Sequence, residues 1–171
     1  VGSEMCIRDS LHTSRSSRFV NKKYRLVAEK NLRALDVDGL VIIGGEGSTK
    51  GATALSKISK TKCVVIPATI DKDMPLVGPT IGFDTAINTA LSAIDKIRDT
   101  ATTSNVTHIV EVMGRNCGWL GILAGIGAGA EVTIIPEVKI DIAKLSKKIK
   151  SQLDRGKKGC IIILAEGAFS K

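Results

Sequence analysis

The feature that most constrains this chain is an apolar, β-branched run that stops at two glycines. Leu40-Val41-Ile42-Ile43 is followed by Gly44-Gly45-Glu46-Gly47-Ser48, and a helix-forming segment is expected from about Thr49 to Ile58. A buried strand that ends in a loop without side chains lets backbone N–H groups come close to a phosphate. The next helix's N-terminus adds donors and a positive dipole end. An acid in such a loop, here Glu46, suits a metal ion bridging phosphates. The same residues would also make a tight strand-to-helix turn in any α/β domain.

The rest of the chain repeats the alternation. Tyr24 to Leu35 has Leu26, Val27, Leu32 and Leu35 at broadly helical spacing, and Cys63 to Ile66 is a second short strand closed by Pro67. Met74 to Pro79 carries two prolines and a glycine and reads as a loop. Thr85 to Arg98 is amphipathic, with Ile87, Leu91, Ile94 and Ile97 on one stripe. His108 to Met113, Val132 to Ile135 and Cys160 to Leu164 are further strands. A small-residue helix and a helix marked by Ile142, Leu145, Ile149 and Leu153 fall between them. Strands separated by helices predict an α/β fold with parallel sheets, in which ligands bind beyond the carboxyl ends of the strands. Val1 to Ser10 has no periodicity and reads as a non-native leader.

Composition narrows the function classes. Aromatics make up 3% of the 171 residues, so base stacking on aromatic platforms is disfavoured and no nucleic-acid partner is expected. A net charge of +8 fits a phosphate-rich partner, although the basic stretches Arg15 to Arg33 and Lys144 to Lys158 also fit solvated helix faces. Cys6, Cys63, Cys117 and Cys160 form no C-x-x-C pair and no metal-ligand spacing. Three of them sit in apolar or glycine-rich surroundings, as free thiols do in a reducing compartment. The longest uncharged run, Asn116 to Ala130, is half glycine and alanine and fits close helix packing better than lipid. The expectation is a cytoplasmic protein with no membrane partner.

Two further stretches carry chemistry. Pro67-Ala68-Thr69-Ile70-Asp71-Lys72-Asp73 places two carboxylates two residues apart, which point the same way if the segment is extended. Crowded carboxylates raise one another's pKa, as a general base requires, and can hold a metal; a capping or turn-forming Asp pair would look the same. Met113-Gly114-Arg115 follows a strand, with a glycine for close approach and a guanidinium able to hold a phosphate bidentately, or an ordinary surface arginine. A phosphate cradle, a carboxylate base and a cationic clamp at successive strand ends are the parts of phosphoryl transfer to a hydroxyl.

GGEGS, TIDKD, TIGFDTA and EVMGRNCGW, in this order and spacing, closely resemble the 6-phosphofructokinases, from about Thr13 to Glu166. The resemblance implies a three-layer α/β/α, phosphofructokinase-like fold of two similar lobes, both partial here. Residues 11–82 would be part of the nucleotide-binding lobe, and 83–171 an incomplete sugar-phosphate lobe. It implies transfer of the γ-phosphate of ATP to the 1-hydroxyl of fructose 6-phosphate, with Mg2+, in a protein that is a homodimer or homotetramer at full length.

Residue by residue, the resemblance makes Asp71 the general base and gives Thr69 and Asp73 to the sugar and magnesium site. Glu46 stands near magnesium where the family usually has Asp, beside Gly45, Gly47 and Ser48 in the nucleotide loop. Arg15 and Arg115 would neutralise the transferring phosphoryl group; Met113, Gly114 and Glu166 would contact the sugar. Gly47 and Ala68 are small where pyrophosphate users typically have Asp and Lys, which favours ATP. The pyrophosphate-dependent branch and a catalytically silent regulatory subunit are the alternatives. Arg98, Glu131, Arg155 and Lys157 fall where bacterial members bind effectors, or are ordinary surface charges. Lys72 replaces the family's usual Asn, and Val106 replaces an arginine found in many members. The family's opening phosphate loop and its C-terminal sugar-phosphate ligands have no counterpart here, so little or no activity is expected of the 171 residues alone.

Overall fold

A computed structural model describes residues 16–169; the leader expected at 1–10 and the clamp residue Arg15 lie outside them. A short 3-10 turn, Ser17–Val20, leads into α1 (Lys22–Ala34), whose first turn is capped by the Asn21 side chain accepting from Lys23 N–H. Then come β1 (Gly39–Gly44), α2 (Glu46–Ser56), β2 (Lys62–Pro67), α3 (Phe83–Ser104) and β3 (Thr107–Val112). The described chain closes with α4 (Trp119–Gly127), β4 (Val132–Ile134), α5 (Ile142–Asp154), β5 (Cys160–Ala165) and a 3-10 turn at Glu166–Phe169. The alternation is that of an α/β fold, as the sequence predicts.

Element ends moved in one informative place. Helix α2 starts at Glu46, not near Thr49, so Glu46, Gly47 and Ser48 form its first turn and the side-chain-free turn shrinks to Gly44-Gly45. An acid in a first turn complements the helix dipole, which offsets the poor helix propensity of Gly47.

Contacts divide the chain into two units. One holds residues up to Ile42 with Gly47–Ile66; the other holds Ile43–Glu46 with everything from Pro67 onward. In the first, β1 pairs with β2 in the same direction, since Lys62 N–H donates to the Asp38 carbonyl at 3.2 Å at the start of both strands. Its core is small: Ala52 and Leu55 of α2 are buried, while Leu26, Val27 and Leu35 around α1 are exposed, unlike the inward stripe expected from their spacing.

The second unit carries a parallel sheet in the order β3-β5-β4, with Thr107 opposite Cys160 and Val132 opposite Ile162. Central strands of parallel sheets are covered on both faces and read as continuous apolar runs. Cys160, Ile161, Ile162, Ile163 and Ala165 of β5 are accordingly all buried. Ile94 and Ala101 of α3 and Ala124 of α4 pack on Val112, Ile161 and Ile163. Close approach of α4 to the sheet requires Gly125, where a Cβ would lie 2.1 Å from the Thr133 hydroxyl oxygen.

Segment 67–82 groups with this second unit, whereas the sequence reading put the lobe boundary after Gly82. Its ties explain why: the Asp71 carboxylate meets Arg115 at 3.2 Å, and the Cys117 thiol reaches the Lys72 carbonyl at 3.5 Å. Internally it is drawn together by the parallel bridge Ala68–Ile81 and by the Thr80 hydroxyl donating to the Thr69 carbonyl at 2.7 Å.

Candidate active site

Asp71 lies just beyond β2 and is only 7% exposed. Its backbone N–H donates to the Thr69 hydroxyl at 3.1 Å, and its Oδ2 sits 3.2 Å from Arg115 Nε. Burial pushes the Asp71 carboxyl above its ordinary value, the Arg115 guanidinium pulls it down, and the Asp73 and Glu166 carboxylates push it up again. A raised carboxylate with a cation alongside is the electrostatic signature of a group suited to proton transfer. Of the two geometries open to the Asp pair, the turned one is present, because Lys72 adopts φ 51 and turns the chain. Asp71 and Asp73 still influence one another, through the turn rather than through strand alternation.

The arginine is held by an unusual backbone. Gly114 has φ 132 and Arg115 φ 52, and a Cβ at Gly114 would lie 2.6 Å from the Cys117 carbonyl oxygen. Only glycine fits there. Glu166, after β5, stabilises this turn: its Oε1 accepts the N–H of Gly114 at 3.1 Å and that of Arg115 at 2.5 Å. Glu166, expected at the sugar, thus holds the backbone of the turn that carries Arg115, whose side chain remains 53% exposed. Met113 is exposed beside it.

Gly45 packs closely against Thr69, with Thr69 Cβ 3.2 Å from where a Gly45 Cβ would stand. Gly45 and Glu46 belong to the same unit as Asp71, Asp73, Arg115 and Glu166, while Gly47 and Ser48 group with the other unit. Among the described residues, a Cβ at Gly47 would meet nothing within 4 Å, so their packing does not demand its small size.

Asp73 Oδ1 is buried without a hydrogen-bond partner among the described residues. An orphaned carboxylate oxygen is costly unless something outside the chain satisfies it, and a hard cation does so well. Among the described residues no three His, Cys, Asp or Glu side chains cluster as a metal site. Magnesium is usually held by one or two carboxylates, with phosphate and water oxygens filling the shell, and the Asp73 carboxylate has the chemistry for that.

The suggested effector residues are brought together only in part. Lys157 Nζ meets Glu131 Oε1 at 2.5 Å, Arg98 Nη1 lies 3.9 Å from it, and Ile161 N–H donates to Glu131 Oε2. Arg98 also donates to the Ala128 and Gly129 carbonyls. Burial alone would raise the Glu131 carboxyl; Lys157 and the Ile161 N–H outweigh it and hold the group below its ordinary value. Arg155 stands apart, at the end of α5 in a cavity lined by Lys147, Lys150, Ser151 and Asp154.

One contact escaped the sequence reading. Lys72 Nζ lies 5.1 Å from the Phe83 ring centroid and 4.6 Å from that of Trp119. The odd lysine in TIDKD was the available signal, but nothing in the sequence says that residues 11 and 47 positions later fold over it.

Parallel strands whose carboxyl ends carry a buried carboxylate, an arginine and an unsatisfied second carboxylate define an α/β domain built around a charged centre. The chain belongs to the phosphofructokinase family: a family model described as Phosphofructokinase matches residues 9–171. The ATP-dependent 6-phosphofructokinase of Staphylococcus carnosus is 48% identical over 160 residues, covering 93% of this chain and 50% of that protein. That of Caldanaerobacter subterraneus subsp. tengcongensis is likewise 48% identical, over 94% of this chain and 50% of its own. The chain thus spans about half the length of the curated relatives it matches. The structure of Pichia pastoris phosphofructokinase in the T-state superposes with a TM-score of 0.81 at 34% identity, over 91% of this chain and 20% of that one.

Proposed function

We propose that the full-length protein containing this chain is an ATP-dependent 6-phosphofructokinase. It moves the γ-phosphoryl group of ATP to the 1-hydroxyl of fructose 6-phosphate, with Asp71 as general base. The observation that carries the reading is Asp71 itself, buried at a strand end, raised in proton affinity and paired at 3.2 Å with an arginine whose side chain is half-exposed.

In this reading Asp71 accepts the proton of the attacking hydroxyl, and its raised proton affinity makes it a stronger base than a free carboxylate. Arg115 neutralises charge on the transferring group, and Glu166 fixes the turn that aims it. Arg15 shares the role of Arg115, and Thr69, Asp73, Met113, Gly114 and Glu166 line the sugar. Asp73 and Glu46 would hold Mg2+, which when bound supplies charge neutralisation on the phosphate oxygens. Gly45, Gly47 and Ser48 take the nucleotide phosphates at the start of α2. The open space at Gly47 supports ATP as donor, since a side chain there would be tolerated by the fold and must be excluded for another reason. The relatives named above are ATP-dependent, which points the same way.

The effector group is proposed in modified form. A regulatory anion would have to draw Lys157 and Arg98 away from Glu131, so Lys157→Ala should abolish any response to nucleoside diphosphate or phosphoenolpyruvate. At full length the protein is proposed to be a cytoplasmic homodimer or homotetramer, which light scattering tests. No helix among the described residues is long and apolar enough to cross a membrane.

The decisive experiment is a coupled assay of the full-length protein with fructose 6-phosphate, offering ATP and pyrophosphate in parallel. Turnover with ATP supports the reading, turnover with pyrophosphate alone moves the protein to the other branch, and nucleotide binding without turnover makes it a silent subunit.

A further inference from the structure

Lys72 sits in sequence between the two carboxylates of the site. The groups that move the Asp71 carboxyl are burial, Arg115, Asp73 and Glu166; the adjacent lysine is not among them. Its Nζ instead lies over two rings, 5.1 Å from the centroid of Phe83 and 4.6 Å from that of Trp119. Phe83 is the first residue of α3 and Trp119 the first of α4. The backbone of Lys72 is in the left-handed region, φ 51, where a residue without help from its surroundings is strained. Its carbonyl accepts from the Cys117 thiol at 3.5 Å.

These contacts converge on the loop that presents Arg115. Residues 114–119 touch the 71–73 turn twice, once through the Asp71–Arg115 pair and once through Lys72 with Trp119 and Cys117. The first tie involves the reacting groups themselves: when Arg115 turns to a phosphoryl group, its hold on Asp71 weakens. The second does not involve the reacting charges and stays in place. Phe83 is buried and Trp119 is 46% exposed, so the ammonium has one anchored ring and one ring toward solvent.

We propose that Lys72 is a positioning residue: its ammonium, held between Phe83 and Trp119, locks the turned 71–73 backbone to the 114–119 loop and so keeps Asp71 in register with the acceptor hydroxyl. The proposal rests on Asp71 as the base. Because the ammonium is engaged with the two rings, its loss is expected to act on the chemical step and not on ground-state binding.

The test uses the full-length protein with Lys72→Met, Lys72→Arg, Trp119→Phe and the Lys72→Met/Trp119→Phe pair. Lys72→Met keeps the stem and removes the cation. It is expected to lower kcat on the order of tenfold with KM for fructose 6-phosphate and ATP within about twofold of wild type. Arginine also stacks on aromatic faces, so Lys72→Arg should recover kcat to within about threefold of wild type. Trp119 is the only tryptophan in this chain, so Lys72→Met should change tryptophan emission, and the change should vanish in the Trp119→Phe background. Wild-type kcat in Lys72→Met overturns the proposal, and so does an arginine variant as slow as the methionine one. A raised KM for fructose 6-phosphate at unchanged kcat overturns it too, by making Lys72 a direct sugar-phosphate contact. If wild-type protein shows no kinase activity, the reading of Asp71 fails and the positioning proposal with it. The emission comparison would then still report whether the cation sits on the ring, which keeps the two failures apart.

Discussion

Asp71 shows how a single residue can oppose the fold that holds it. Its carboxyl is raised chiefly by burial, so the charged form is disfavoured in the folded chain relative to the unfolded one. By linkage, a raised folded-state pKa means that stability from this group is full below the unfolded value and is lost as pH rises through the folded one. At neutral pH Asp71 therefore costs stability. Asp71→Asn in the full-length protein should raise Tm, by about 2 °C in thermal unfolding, while turnover falls at least about a hundredfold. The acid limb of the kcat profile should fall above the range of an ordinary carboxylate, since the base works only when deprotonated. Arg115→Met removes a cation that lowers Asp71, so the residual activity should show that limb moved to still higher pH. Gly47 makes a second residue-scale case. Gly47→Asp with Ala68→Lys should leave the fold intact, because the Gly47 site is open, and raise KM for ATP at least about tenfold in steady-state assays.

At the scale of elements, the sheet and its helices are held by small residues at close approach. Helix propensity favours Ala over Gly by about 1 kcal/mol. At Gly125 of α4, however, a Cβ would stand 2.1 Å from Thr133 Oγ1 and 3.3 Å from its Cβ. Overpacking of that kind typically costs about 1–3 kcal/mol, so Gly125→Ala should lower stability in urea unfolding, and adding Thr133→Ser should not restore it because the Oγ remains. Glu131 is the electrostatic counterpart, tying β5 and Lys157 together before β4 begins. Its carboxyl is held low, so its contribution is present above the unfolded value and lost as pH falls through the folded one. Glu131→Gln should flatten the loss of stability on acidification below about pH 4.5, as measured by Tm against pH.

At the scale of the whole molecule, the first unit lacks cover. Val41, Val64 and Ile66 are exposed along β1 and β2, where parallel strands are ordinarily buried on both faces. Leu26, Val27 and Leu35 are exposed as well, and the chain spans about half the length of its relatives. The 171 residues expressed alone are therefore expected to bind a hydrophobic dye and to show little or no kinase activity, whereas the full-length protein should bind little dye and turn over. Dye fluorescence and the coupled assay, run side by side, check both.

The sequence by itself determined the element order, the parallel α/β class, the family and the positions of Asp71, Asp73, Gly45 and Arg115. These follow from local patterns: β-branched runs, helical periodicity, and loops whose residue types suit phosphate. It placed the start of α2 too late, because a glycine-rich stretch looks like loop until an acid at the helix start offsets its poor propensity. It left open whether the Asp pair is extended or turned, because alternation is a local rule and the left-handed turn at Lys72 is held by distant groups. Only the tertiary structure decided that Glu166 holds the turn carrying Arg115 across some fifty residues of chain, and that Lys72 lies over Phe83 and Trp119. Contacts between elements far apart in sequence leave no periodic trace, and burial, which sets the proton affinity of Asp71, exists only once those elements have closed around it.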